Sequence, residues 1–103
     1  MTSHHGLNDV DLTEARALDL HALLLNQVVR MLCAGVIHSD LSEYNILVAA
    51  DGPVIIDLPQ AVDAAGNNEA ASMLKRDVDN LAAYFGRFAP QILTARALSS
   101  WLL

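Results

Sequence analysis

Between His38 and Asn45 the chain reads HSDLSEYN, and twelve residues beyond that asparagine a run of IID closes on Asp57. Asp40, Asn45 and Asp57 are hard oxygen donors of the kind that suits magnesium. That ion binds one or two carboxylates, keeps several waters and takes its remaining ligands from phosphates. No lysine or arginine occurs between Arg30 and Lys75, whereas Asp40, Glu43 and Asp57 all fall inside that interval. Like unit charges about 4 Å apart repel by a few kcal/mol at the effective dielectric of a partly buried site. A phosphate could not settle there unaided. Either divalent cations intervene, or further cations come from outside the segment, or no phosphate binds; the first two together are what phosphoryl transfer uses.

Three separated points of the chain must be brought together for this chemistry, and the sequence suggests how. From Thr13 to Ala34 the spacing of Leu18, Ala22, Leu25, Val29 and Leu32 predicts a helix. Leu24 and Val28 widen its apolar stripe, so burial over much of its circumference is expected. Asp11 or Thr13 can cap its start, and Gly35 suits the left-handed position past its end. Asn45–Val48 and Val54–Asp57 are short β-branched runs on either side of Ala49-Ala50-Asp51-Gly52-Pro53, and Asp-Gly between such runs predicts a hairpin. Antiparallel pairing then sets Asn45 beside Asp57, with Asp40 entering from the preceding loop. Pro59 should end the second strand, and residues 61–68 read as a loop. A helix over Glu69–Phe88, with Leu74, Val78, Leu81, Phe85 and Phe88 along one side, precedes a last helix opened by Pro90 and running through Leu103. The predicted class is α+β, mostly helical: helix, small hairpin, helix, helix. Residues 11–103 form one domain in this reading, and residues 1–10 a disordered or expression-derived lead.

Composition narrows the function classes. Hydrophobic residues make up 53% of the 103 residues and the mean hydropathy is +0.32, yet no apolar run reaches the roughly 18–20 residues a bilayer span needs. The best stretch, Leu18 to Ile37, is interrupted by Asp19, His21, Asn26, Gln27 and Arg30. A net charge of −6 and a pI near 4.8 argue against a nucleic-acid backbone as the main ligand. Cys33 is the sole cysteine, which precludes an intramolecular disulfide and fits a reducing cytoplasm. Its setting on a helical run predicts a buried structural thiol. No signal peptide is visible, and no metal role is expected for His4 or His5. His38 is expected to pack beneath the loop and bond to its backbone. Asp40 and Asn45 could serve as turn formers and Asp57 as a cap. Ser42 could fix the turn or touch phosphate, and Asp77 could anchor loop amides or join a surface ion pair.

HSDLSEYN followed by IIDLPQAVD resembles the catalytic and metal-binding loops of the RIO family of atypical serine/threonine protein kinases. The likeness continues through Leu74-Lys75-Arg76-Asp77-Val78 and Asn80 to Phe85, and weakly back along Thr13–Ala34. It covers roughly Asp11 to Ala89. Its specific parts are Asp-Leu-Ser-Glu-Tyr-Asn and Ile-Asp-Leu-Pro-Gln, since a bare H-x-D-x-x-x-x-N is shared with many kinases and antibiotic phosphotransferases. The resemblance implies a protein-kinase-like carboxy-terminal lobe with ATP as a ligand. It implies that Asp40 orients the attacking hydroxyl and accepts its proton, and that Asn45 ligates a magnesium or manganese ion. Asp57 would hold the metal bridging the phosphates, and in some members the aspartate at this position is itself phosphorylated. Ser42, Glu43, Tyr44, Asn45 and Ile56 would border the nucleotide. Within that border Glu43 and Tyr44 are read as structural, with Tyr44 half-buried, and Ser42 stands where ordinary protein kinases keep a lysine.

The sequence departs from the family by what it lacks. A phosphate-covering Gly-rich loop, a phosphate-binding lysine and its helix glutamate are not found, so the chain resembles the carboxy-terminal lobe alone, either a truncated piece or a natural short gene. The first lobe would act in cis or in trans, and the isolated piece should be nearly inactive. An apolar face left bare by that absence should promote self-association. A cytoplasmic protein with no membrane partner is expected; the phosphoacceptor protein is not indicated. Other readings are an aminoglycoside-phosphotransferase-like lobe and a non-catalytic interaction module. Ser39 is a milder departure, at a place where glycine or alanine is more usual.

Overall fold

A computed structural model describes residues 5–57 and 61–94. In chain order the elements are β1 (His5–Gly6), a 3-10 turn (Leu7–Asp9), α1 (Glu14–Cys33), β2 (Val36–Ile37), a second 3-10 turn (Glu43–Asn45), β3 (Ile46–Ala49), β4 (Gly52–Ile55), β5 (Val62–Asp63) and α2 (Ala70–Gly86). A helical turn follows at 91–94. The α+β, mostly helical architecture is as expected. Pro59 and the far part of the last expected helix lie outside the described residues.

Local chemistry sets the limits of α1. The Thr13 hydroxyl accepts the Arg16 N–H at 3.1 Å, and Gly35 takes φ +83° just past the helix, where a side chain would be strained. Its buried side chains are Ala17, Leu20, Leu24 and Val28. This corrects the expected stripe: Leu18, Ala22, Val29 and Leu32 are exposed, so the helix is not buried over most of its circumference. Both faces are apolar, and periodicity alone does not decide between them; contact with Leu41, Ile46, Leu81 and Phe85 does. Cys33, expected inside, is exposed.

The hairpin is tighter than predicted. Ala49 pairs with Gly52, so Ala50 and Asp51 make a two-residue turn and Pro53 lies within the strand, opposite Val48. Asn45 C=O accepts the Ile56 N–H at 2.8 Å. Counting along the ladder from that bond places Pro53 at a non-hydrogen-bonded position on an edge strand, where its missing N–H costs nothing. The Pro53 carbonyl accepts from Gln27 Nε2 at 2.9 Å and ties the hairpin to α1.

Two pairings were not foreseen. β1 adds to β3 through His5↔Val48 and Gly6↔Leu47, and Leu7 is wholly buried, so residues 5–10 belong to the fold rather than to a disordered lead. Tyr84 Oη donates to the Leu7 carbonyl at 3.1 Å and secures the segment; burial, and then the Glu43 charge, push the phenol pKa above its usual value. β5, inside the stretch read as loop, pairs with β2 through Val36↔Asp63 and Ile37↔Val62. This ribbon carries the chain directly into His38.

Candidate functional site

Asp40 is exposed at the head of the loop, and α2 holds the residue on either side of it. The Asp77 carboxylate accepts the Ser39 N–H at 2.8 Å and the Leu41 N–H at 3.0 Å. Asn80 Nδ2 donates to the Leu41 carbonyl at 3.1 Å, and the Arg76 guanidinium donates to the Ser39 carbonyl. Both backbone groups of both neighbours are therefore fixed from one helix. Asp77 is only 1% exposed, and a carboxylate so placed is tolerable because charge-assisted hydrogen bonds replace its water. Of the two roles open to Asp77, loop anchor is the one observed. The grip of Arg76 and Asn80 was not foreseen; their spacing on one turn of α2 with Asp77 was the available signal.

His38 joins this loop to the strand that ends at Asp57. Its Nδ1 accepts the Asp40 N–H at 3.2 Å, so the ring proton sits on Nε2, which donates to the Ile56 carbonyl at 2.7 Å. A neutral imidazole of one tautomer satisfies both bonds. The ring is 2% exposed and lies beneath the loop, as expected.

Asn45 completes the bridge. Its side-chain Nδ2 donates to the Asp40 carbonyl, which fixes the amide and turns Oδ1, the atom a cation would use, the other way. Ile56 has its N–H held by Asn45 and its carbonyl by His38, so the residue next in line, Asp57, departs from a fixed point. Asp57 is exposed and takes φ +64°; Ser39, just before Asp40, takes φ +77°. Such left-handed conformations cost roughly 1–2 kcal/mol for a residue with a Cβ, which is why glycine would suit position 39. Both loops thus bend sharply beside the carboxylates they present.

The remaining expected residues divide. The Ser42 hydroxyl accepts the Tyr44 N–H at 3.2 Å and so fixes the 3-10 turn. Tyr44 is 71% exposed, not half-buried, because that turn directs it away from the core cluster. Glu43 and Ile56 are partly buried. Among the described residues no group of three or more His, Cys, Asp or Glu is gathered for a metal, and no helix is long and apolar enough to cross a membrane.

A family model described as the RIO domain matches residues 2–98. Human serine/threonine-protein kinase RIO1 is 33% identical over 93 residues, covering 89% of this chain and 16% of that protein. The RIO-type kinase Rio2 of Methanocaldococcus jannaschii is 42% identical over 71 residues, 68% of this chain and 26% of its own length. Among solved structures, the Rio2 kinase–ADP/Mg2+–phosphoaspartate complex from Chaetomium thermophilum matches with a TM-score of 0.69 and 29% identity, over 80% of this chain and 27% of that one. The chain therefore spans no more than about a quarter of these relatives.

Proposed function

The chain belongs to the RIO family, and from that premise we propose that it is the carboxy-terminal lobe of a RIO-type serine/threonine kinase or ATPase, carrying the acidic half of the phosphotransfer site. The observation that carries the reading is the bonded frame His38–Asp40–Asn45–Ile56, which ties the loop of Asp40 to the residue before Asp57. Asn45 Oδ1 and the Asp57 carboxylate would hold Mg2+ or Mn2+, with water and phosphate oxygens as the other ligands. One carboxylate and one amide oxygen are hard donors of the kind Mg2+ takes when phosphate and water supply the rest. The ion would offset charge on the phosphates of ATP.

Asp40 would orient a hydroxyl and accept its proton, its place fixed by the α2 clamp on both neighbours. Where the reaction is ATP hydrolysis, an Asp57 carboxylate oxygen would attack the γ-phosphorus, the bond to the ADP oxygen would break, and water would later release phosphate. The phosphoaspartate in the Chaetomium relative supports that route. Ser42, Glu43, Tyr44 and Ile56 would border the nucleotide. A further lobe, in cis or in trans, would bring the phosphate-binding lysine; Lys75, the only lysine of this chain, pairs with Asp79 at 2.7 Å on α2. Without that lobe, positioning and charge stabilisation are both reduced and turnover should be slight. The likeness to RIO kinases over most of the chain favours this reading over an aminoglycoside-type lobe.

The charge pattern gives the test. With no cation between Arg30 and Lys75, ADP should perturb the amide NMR signals of Asp40, Asn45 and Asp57 only when Mg2+ is present, and Asp57→Asn should abolish the response. Equal binding of ADP with and without Mg2+ would overturn the proposal.

A further inference from the structure

α1 carries two apolar stripes, and the core uses one of them. Ala17, Leu20, Leu24 and Val28 face inward. Along the adjoining face Ala15, Leu18, Ala22, Leu25, Val29 and Leu32 recur in alternating steps of three and four. Leu25 is half-buried and the other five are exposed, Leu18 by 37%, Leu32 by 39% and Val29 by 54%. Steps of three and four are the spacing by which one helix packs along another, so the face suits another helix.

We infer that the partner is α1 of a second copy of this chain, lying antiparallel. With the two-fold axis between residues 23 and 24, Ala15 meets Leu32, Leu18 meets Val29 and Ala22 meets Leu25 of the other copy, and symmetry repeats each pair. Every layer then sets a smaller side chain against a larger one, which keeps the helix separation even. The parallel arrangement would instead stack like on like, Ala–Ala at positions 15 and 22 against Leu–Leu or Val–Val at the other four layers, and leave gaps at the alanines. It would also bring Glu14 beside Asp19 of the other helix, two like charges at flanking positions. Antiparallel packing places Asp19 beside Asn26, whose amide can donate to it, and brings no like charges together along the seam. This inference does not depend on the phosphotransfer reading.

Sedimentation of the full chain at low and high concentration, with added salt to screen the −6 on each copy, should show a monomer–dimer equilibrium. Val29→Glu and, separately, Leu18→Glu should each leave a monomer, with an unchanged circular dichroism spectrum showing that the fold persists. Orientation is read by oxidation in a Cys33→Ser background. Ala15→Cys combined with Leu32→Cys should give a covalent dimer, whereas Ala15→Cys alone should not, its two copies lying about 26 Å apart along the helix. Crosslinking by Ala15→Cys alone would overturn the antiparallel assignment. A dimer indifferent to both glutamates would overturn the use of this face. A monomer at every concentration would also overturn the inference.

Discussion

Asp40 and Asp57 are exposed carboxylates whose placement depends on buried neighbours. His38 and Asn45 fix the backbone on which both stand, and each uses a donor–acceptor pattern that no apolar substitute reproduces. His21 is the contrasting histidine. It lies 5.7 Å from the Phe85 ring, its Nε2 has no hydrogen-bond partner among the described residues, and burial lowers its pKa from 6.5. The unfolded chain therefore takes up a proton near pH 6.5 that the folded chain resists. Stability from this ring is full above about pH 6.5, declines as pH falls below that value, and levels off beneath the folded pKa. Thermal melts at about pH 7.5 and pH 5.5 should differ, and His21→Leu should narrow the difference. An undiminished difference in the variant would assign the effect to other groups.

Among the elements, α2 does most to position the site, with Arg76, Asp77 and Asn80 on the loop and Leu81 and Phe85 in the core. Asp77→Ala would leave two loop N–H groups without acceptors, at about 1–3 kcal/mol each. The expected result is a lower melting temperature together with faster hydrogen exchange at the Ser39 and Leu41 amides. Unaltered exchange at those two amides would contradict the clamp. Much at this scale was legible in the sequence: Thr13, Gly35 and the alternation around Asp51-Gly52 act locally, and the structure uses them locally. The phase of α1 was not legible, because its two apolar stripes differ only in which one meets Phe85 and Leu41. Two-residue strands such as β1 and β5 were missed for a related reason: their pairing partners are distant and their own patterns are too short to register.

For the whole molecule, the meeting of the Asp40 loop and the strand before Asp57 at Asn45 could be read, because the hairpin turns the second strand back beside the first. The frame beneath them could not, since the burial of Asp77 depends on a loop 36 residues away in sequence. The segment from Asp40 to Asp57 is acidic and free of lysine and arginine, so under the proposed reading a divalent cation would have to accompany phosphate in this lobe. Acidic side chains also occur elsewhere, at Asp9, Asp11, Glu14, Asp19 and Asp63, so a specific site must be separated from general attraction to a chain of charge −6. The most direct measurement is paramagnetic broadening of amide signals by Mn2+ at substoichiometric levels and moderate salt. Broadening centred on Asp40, Asn45 and Asp57, displaced by Mg2+ and lost in Asp57→Asn, is the expected result. Broadening spread over all the acidic positions, or unchanged by Asp57→Asn, would contradict a metal-holding site in this lobe.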